Sequence, residues 1–234
     1  MTKEEMLLAA KPILFNTPMV QAIMDGRKTE TRRPIKGGVT ITPGAGHEVC
    51  FFPRKPRRDR GREIKSIKYF TLKSFEESEA QFHEGDMLYV RETWNYVYDM
   101  DDNDKIIEGT GRYVYYADDP MPFADWVDPD TGEHKEKMPW RPSIHMPKAA
   151  ARIFLRVEGV HPEQLQVMGL GDFLAEGLAL PPEAYNDPEN AYMQARGMFK
   201  ALWDSTVKKA DLGKYGWDAG PWVWAIKFER VREG

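Results

Sequence analysis

Segments with the composition of β-strands are scattered along the whole chain, and their spacing constrains the fold more than any other feature. Over 151–160 apolar and polar residues alternate, with Ile153, Leu155 and Val157 on one face, as in a half-buried strand. The segment 222–231 alternates in the same way and carries an aromatic face. Further strand-type segments lie at 64–72, 87–94 and 112–117. Since strands and helices do not alternate regularly, we expect an α+β fold, a small mixed β-barrel with helices at its mouth.

Three segments carry helix signals. Thr17 followed by Pro18 is a typical helix start, because a Thr side chain accepts a backbone N–H and Pro lacks one, and Gly26 is placed to end that helix of about ten residues. Asp187 followed by Pro188 repeats the start signal, and a shorter helix is expected over 170–178. The first and last helices each have apolar residues spaced for one buried face: Met19, Val20, Ile23 and Met24, and then Ala191, Ala195, Met198, Phe199, Leu202 and Trp203.

Two insertions are predicted within this fold. Seventeen Pro and nineteen Gly among 234 residues indicate many turns and long loops. The insertion at 37–82 is basic: from Phe51 to Lys73 nine Lys or Arg face two acidic residues, a charge of +7 in a chain whose net charge is −4. The insertion at 99–142 is rich in Asp and Pro and is expected to be irregular. We expect one domain, 1–234, that contains both insertions.

Several classes of protein are disfavoured. Cys50 is the single cysteine, which excludes an internal disulfide framework and a zinc site with several cysteines. The five histidines are isolated, and no phosphate-loop or dinucleotide-binding pattern is present. We therefore expect no cofactor and no histidine-based metal site, while a carboxylate-bound Mg²⁺ stays open. No stretch has the roughly 20 apolar residues that span a bilayer, so a cytoplasmic protein with no membrane partner is expected.

The polar segment Gly26–Arg33 is the clearest candidate for chemistry. Most of its side chains donate hydrogen bonds that phosphate or carbonyl oxygens could accept. Its place between a helix and a strand is expected to hold Lys28 and Thr31 close together at the barrel mouth. The alternative interpretation is a solvated, charged connector without a ligand.

This segment also resembles the ASCH domain, a PUA-like β-barrel family proposed to bind RNA. The resemblance starts at Ile13-Leu14-Phe15 and continues through Gly26-Arg27-Lys28-Thr29-x-Thr31-Arg32-Arg33-Pro34. Four further segments support it: 85–94, 140–147, Ala175-Glu176-Gly177 and Trp222-Val223-Trp224. Together they resemble the larger ASCH proteins of bacteriophages and prophages. The resemblance implies a PUA-like barrel and a protein that binds RNA, a nucleotide or a nucleoside.

The resemblance also implies a catalytic set. Small ASCH members include an amidohydrolase that removes the acetyl group from N-acetylated cytidine with a Lys, a Thr and a Glu, which correspond here to Lys28, Thr31 and Glu176. A Thr hydroxyl needs a base to take its proton, and Lys can act as that base only if its pKa falls from about 10.4. Glu176 could then protonate the departing nitrogen. Alternatively, a charged Lys28 holds phosphate; other ASCH members have been assigned ribonuclease activity.

Further residues are candidates for ligand binding, each with a structural alternative. The candidates near Lys28 in the sequence are Arg27, Arg32 and Arg33. The candidates in other segments are Arg91, Trp94, Arg141, Ser143 and His145. Trp94 is as well explained by core packing, and residues 141–145 by a structural turn. The basic insertion, flanked by aromatic residues, could grip single-stranded RNA or merely aid solubility. A phage-encoded protein that binds a host protein through an insertion is a third hypothesis.

Overall fold

The computed structural model describes residues 2–42, 48–53, 57–59, 62–64, 68–101, 103, 105–122, 126–128 and 131–232 of the chain. Contacts divide the chain into two compact units, each built from separate segments. Unit 1 comprises Met1–Gly26, Met87–Leu155 and Arg230–Gly234, and unit 2 comprises Arg27–Asp86 and Arg156–Glu229. The single domain expected from the sequence stays a prediction.

Helices and strands are both present, so the fold is α+β, as predicted. The helices of the described chain are α1 (Lys3–Ala9), α2 (Thr17–Met24), α3 (Leu72–Glu79), α4 (Leu170–Ala175), α5 (Pro188–Thr206) and α6 (Leu212–Tyr215). The strands are β1 (Lys11–Leu14), β2 (Glu30–Pro34), β3 (Gly37–Thr42), β4 (Glu48–Pro53), β5 (Arg57–Asp59), β6 (Arg62–Ile64), β7 (Lys68–Thr71), β8 (Met87–Arg91), β9 (Trp94–Val97), β10 (Arg112–Tyr115), β11 (Trp126–Val127), β12 (His134–Lys135), β13 (Phe154–Gln164) and β14 (Trp222–Val231).

The described residues of unit 1 include one parallel and two antiparallel strand pairs. Strand β1 pairs in parallel with β8, from Lys11 opposite Leu88 to Leu14 opposite Arg91. Strands β9 and β10 form an antiparallel pair, and β11 with β12 form a second, short pair. The last two strands lie inside the insertion expected to be irregular. The core of this unit gathers Met6, Met87, Tyr89, Trp94 and Phe154.

Unit 2 contains the strands that carry the predicted site. Strand β14 pairs antiparallel with β2, from Val223 opposite Pro34 to Lys227 opposite Glu30. Strands β3, β4 and β7 form a separate antiparallel sheet in that order. Helices α4 and α5 bury an aromatic cluster in which the ring centroids of Phe173 and Phe199 lie 5.4 Å apart.

The helices predicted from the sequence are present, with small differences in their capping and buried residues. In α2 the capping residue is Asn16 rather than Thr17, and its side-chain oxygen accepts the N–H of Met19 at 3.1 Å. Helix α5 begins after Asp187, as predicted. Its buried face holds Ala191, Ala195, Phe199 and Trp203, at a spacing of four residues. The prediction for Met198 is wrong, because its side chain is 44% exposed.

Two further segments of the structure differ from the sequence-based prediction. The strand expected over 87–94 is divided into β8 and β9, and between them the buried carboxylate of Glu92 binds Arg152. The insertion at 37–82 contains helix α3, which sequence reasoning missed. Thr71 caps α3, and Phe75 is its fully buried residue. Two apolar side chains in eight residues, Leu72 and Phe75, are too weak a pattern to predict a helix.

The RNA-gripping surface predicted for the basic insertion lies mainly outside the described residues. Arg54, Lys55, Arg60 and Lys65 are not described, and only the backbone of Arg57, Arg58 and Arg62 is. That prediction therefore stays a prediction. Among the described helices none is both long and apolar enough to cross a bilayer.

Candidate functional site

The end of α4 fixes the position of Glu176. Its backbone N–H donates to the carbonyl of Asp172 at 2.9 Å, so Glu176 closes the last turn of the helix. Gly177 follows with φ 96°, a backbone conformation that favours glycine after a helix. Phe173, on the same helix, is fully buried in the aromatic cluster with α5. Glu176 is therefore held by a helix end whose own position is set by core packing.

A short stretch of paired backbone brings Lys28 to Glu176. The two residues form an isolated antiparallel bridge, and the N–H of Thr29 donates to the carbonyl of Ala175 at 2.8 Å. Beside them the Arg27 guanidinium donates to the carbonyl of Gly177 at 2.5 Å, although the Arg27 side chain is otherwise exposed. Residues 148 positions apart in the sequence are thus aligned by main-chain contacts.

The Lys28 ammonium group is enclosed by three acceptors. Nζ donates to Oε2 of Glu176 at 2.5 Å, to the carbonyl of Glu176 at 2.9 Å and to the carbonyl of Glu30 at 2.8 Å. Lys28 is 2% exposed and Glu176 is 4% exposed. A charged lysine has three N–H donors, so these contacts use all of them.

Burial and the neighbouring charges act in opposite directions on Lys28. Burial lowers the pKa of Lys28 from its ordinary value, because the ammonium form loses its hydration. The negative charge of Glu176 and its hydrogen bond oppose this effect, and the positive charges of Arg33 and Arg32 add to it. The net direction is downward, as a general base would require.

Arg32 occupies the centre of a group of carboxylates. Its Nε lies 2.8 Å from Oε1 of Glu163, and its Nη2 lies 3.0 Å from Oδ1 of Asp172. Its Nη1 lies 3.0 Å from Oε2 of Glu30 and 3.6 Å from Oε1 of Glu176. Although burial alone would lower the pKa of Arg32, these carboxylates raise it, so the guanidinium stays charged. The predicted ligand-binding Arg32 is thus surrounded by groups of the protein itself.

Two buried polar atoms of this group have no aligned hydrogen-bond partner among the described residues. They are Nη1 of Arg32 and Oε1 of Glu176. Nη1 of Arg32 lies within ion-pair distance of the Glu30 carboxylate, but the two groups are not aligned for a hydrogen bond. Buried groups of this kind are uncommon in native structures.

Thr31 and Arg33 lie on β2 beside this group. Thr31 is 2% exposed and stands opposite Ile226, while Arg33 is half-buried and stands opposite Trp224. Side chains alternate along a strand, so Thr31 and Arg33 share one face of β2, and Arg32 belongs to the other face. Burial lowers the pKa of Arg33, partly offset by the charge of Glu176.

The remaining predicted site residues lie in unit 1. Trp94 is 5% exposed and exchanges backbone hydrogen bonds with Arg141, whose guanidinium carbon lies 5.4 Å from the centroid of the Trp94 ring. The Arg91 guanidinium donates to the carbonyl of Ile144. Ser143 and His145 belong to a short 3₁₀ turn in which Ser143 is half-buried and His145 is exposed. Within this unit the structure therefore joins Trp94 to Arg141 and Arg91 to the 143–145 turn.

Sequence reasoning missed three of the four acidic residues that lie near the guanidinium of Arg32. Glu30 lies inside the predicted motif but is not one of its predicted site residues. Asp172 carried a usable signal: it stands three residues after Gly169 at the start of α4, and its carboxylate accepts the N–H of Gly169 at 2.8 Å. Glu163 had no local signal, because it reaches Arg32 only through the pairing of distant strands. Among the described residues no group of three or more His, Cys, Asp or Glu side chains is placed to hold a metal ion.

Comparisons with protein-family models, with curated proteins and with solved structures found no match to this chain.

Proposed function

We propose that this chain is an ASCH-type pocket protein that binds RNA, a nucleotide or a nucleoside and hydrolyses an amide of its ligand, as an amidohydrolase on N-acylated cytidine would. We also propose that its fold is a PUA-like β-barrel. One observation carries the proposed function: Nζ of Lys28 lies 2.5 Å from Oε2 of Glu176, and both side chains are buried. The resemblance to the ASCH motif predicts the same two residues from the sequence alone.

The pair can supply both an acid and a base. Transfer of one proton from Lys28 to Oε2 of Glu176 yields a neutral amine and a neutral carboxylic acid. The proposal requires the Thr31 hydroxyl to come within reach of this amine, which then takes the hydroxyl proton while the hydroxyl oxygen attacks the amide carbon. As the C–N bond breaks, Glu176 gives its proton to the departing nitrogen. This leaves the ion pair as it began and an ester on Thr31, which water hydrolyses to a carboxylic acid and free Thr31.

The contacts of Lys28 favour this chemistry over phosphate anchoring. A charged Lys28 could bind phosphate only if one of its three N–H groups left a protein acceptor, and its acceptors are buried with it. Breaking such a contact leaves a buried carbonyl or carboxylate unpaired, at a cost of about 1–3 kcal/mol. Proton transfer within the pair leaves every heavy atom in place.

Turnover of N-acetylated cytidine tests the proposal, with product detected by mass. We expect release of acetate and cytidine by the wild-type chain and a loss of about 10² or more in rate for Lys28→Met and for Glu176→Gln. Lys209→Met and Glu84→Gln are matched controls at exposed positions and should keep the wild-type rate. Equal rates for Lys28→Met and the wild type would reject the catalytic pair.

Thr31→Val tests the nucleophile separately. This variant keeps the shape of the side chain and removes the hydroxyl. We expect no turnover if Thr31 forms the ester. Retained turnover would assign the attack to a water molecule, leave the Lys28–Glu176 pair as acid and base, and contradict the role of Thr31. The exposed Thr29→Val is the matched control.

A further inference from the structure

One pocket within unit 2 has a volume of about 320 Å³. Its walls come from the end of β2, from β14 and from the segment at the end of α3. Arg33, Trp224 and Ile226 contribute from one face of the β2–β14 pair, which is the face that carries Thr31. Ligand pockets span about 300–1,000 Å³, so this pocket suits a small ligand.

Three aromatic residues, Phe51, Phe82 and Trp224, belong to its lining. Trp224 and Phe82 are 7% and 3% exposed, and both contribute to the wall. Phe75 packs against the Trp224 ring with centroids 5.0 Å apart and an interplanar angle of 28°. This packing holds the indole in one orientation, as a rigid stacking platform requires. The lining therefore favours a flat aromatic ring.

The charges of the lining favour an anion. Arg33 and the exposed Lys36 both contribute to the wall. Glu79 is the acidic residue of the lining, and its Oε1 lies 2.6 Å from Nζ of Lys68, which balances its charge. Arg33 stands opposite Trp224 on the neighbouring strand, so a cation lies next to the aromatic platform. An anionic oxygen in the pocket would form charge-assisted hydrogen bonds with these two cations.

We propose that this pocket binds a flat aromatic ring bearing an anionic group, with a nucleoside monophosphate as the class of ligand. The ring would stack on Trp224 and Phe82, and the anionic group would contact Arg33 and Lys36. Gln81, also in the lining, offers one acceptor and two donors to a ring edge. This inference concerns binding alone and does not depend on hydrolysis at Lys28.

Calorimetric titration tests the ligand class with four kinds of probe. These are the four ribonucleoside monophosphates, the matching nucleosides, inorganic phosphate and an indole carboxylate. We expect at least one monophosphate to bind about tenfold or more tightly than its nucleoside and than phosphate, since charge-assisted hydrogen bonds and stacking must act together. Binding of the indole carboxylate without any monophosphate would overturn the nucleotide assignment. Equal affinity for phosphate and monophosphate would overturn the role of the ring, and no binding by any probe would overturn the site.

Variants link binding to the pocket. Lys36→Gln changes an exposed residue, so it should fold normally, and we expect it to weaken monophosphate binding about tenfold without changing nucleoside binding. Lys209→Gln, also exposed, is the matched control. An unchanged monophosphate affinity in Lys36→Gln would contradict the proposal. Titration of Lys28→Met separates the two proposals, because retained monophosphate binding in a chain without turnover assigns the pocket independently of the hydrolytic pair.

Discussion

Replacing Glu176 by Gln should destabilise unit 2 by an amount that depends on pH. The substitution keeps the shape of the side chain but removes a charge whose oxygen lies 2.5 Å from Nζ of Lys28. At an effective dielectric constant of about 20, the Coulomb attraction over this distance is roughly 7 kcal/mol. Burying a carboxylate costs several kcal/mol, which the variant no longer incurs. We therefore expect a net loss of about 3 kcal/mol in the free energy of unfolding near pH 6.

The loss should become smaller as the pH rises. Burial already lowers the pKa of Lys28, and the variant lacks the charge and the hydrogen bond of Glu176 that oppose this effect. The folded variant therefore releases the proton of Lys28 at a lower pH than the unfolded chain does. Between the folded pKa and about 10.5 the unfolded state binds more protons, so stability rises with pH.

Urea denaturation followed by tryptophan fluorescence, repeated from pH 6 to pH 10, measures both effects. Glu84→Gln at an exposed position is the matched control and should change the free energy of unfolding by less than about 0.5 kcal/mol. A loss below about 1 kcal/mol at pH 6 would refute the argument that Glu176 compensates a buried ammonium. A loss of about 3 kcal/mol that stays constant with pH would refute the lowered pKa of Lys28.

Two further predictions concern a charged cluster in unit 1. Arg152→Met should cost about 3–5 kcal/mol of unfolding free energy in a urea titration, because it leaves the 1% exposed carboxylate of Glu92 without the guanidinium now 2.8 Å away. Burial already raises the pKa of Glu92, so this loss should grow as the pH rises above about 4.5, and a loss under 1 kcal/mol would contradict it. Burial raises the pKa of Tyr115 to about 12, so absorbance at 295 nm should show a late tyrosine titration that Tyr115→Phe removes. Because the unfolded chain releases this proton at a lower pH than the folded chain, Tyr115 should lower the free energy of unfolding of the wild type between pH 10 and pH 12. Tyr115→Phe should lack this contribution.

Local patterns in the sequence predicted the strands and helices with long or capped signals. Strand β14 and helix α5 appear where alternation and the Asp187-Pro188 start placed them. Helix α3 could not be predicted in this way, since its single buried residue, Phe75, acquires its role only by packing against Trp224 and two other rings. Long-range packing thus decides the state of segments whose own pattern is weak.

For the site, the motif predicted the residues but not their surroundings. The resemblance predicts both Lys28 and Glu176, and they form a contact in the structure. No pattern in the sequence indicates that Arg32 contacts Glu163 and Asp172, because one partner comes from another strand and the other from the first turn of α4. A motif records which residue types recur, whereas their charge environment depends on elements that meet only in the folded chain.

The arrangement of charges makes the Lys28–Glu176 pair the natural place for a proton to move. Arg32 donates aligned hydrogen bonds to Glu163 and Asp172, and a guanidinium does not release its proton in proteins. Glu176 lies 3.6 Å from Nη1 of Arg32 but accepts a hydrogen bond from Nζ of Lys28 at 2.5 Å, so Lys28 is its closer partner. Lys28 is the one of these two cations that can become neutral, and burial lowers its pKa. Arg32 would therefore stay charged between Glu163 and Asp172 and leave the shared proton of the pair as the one that catalysis can use.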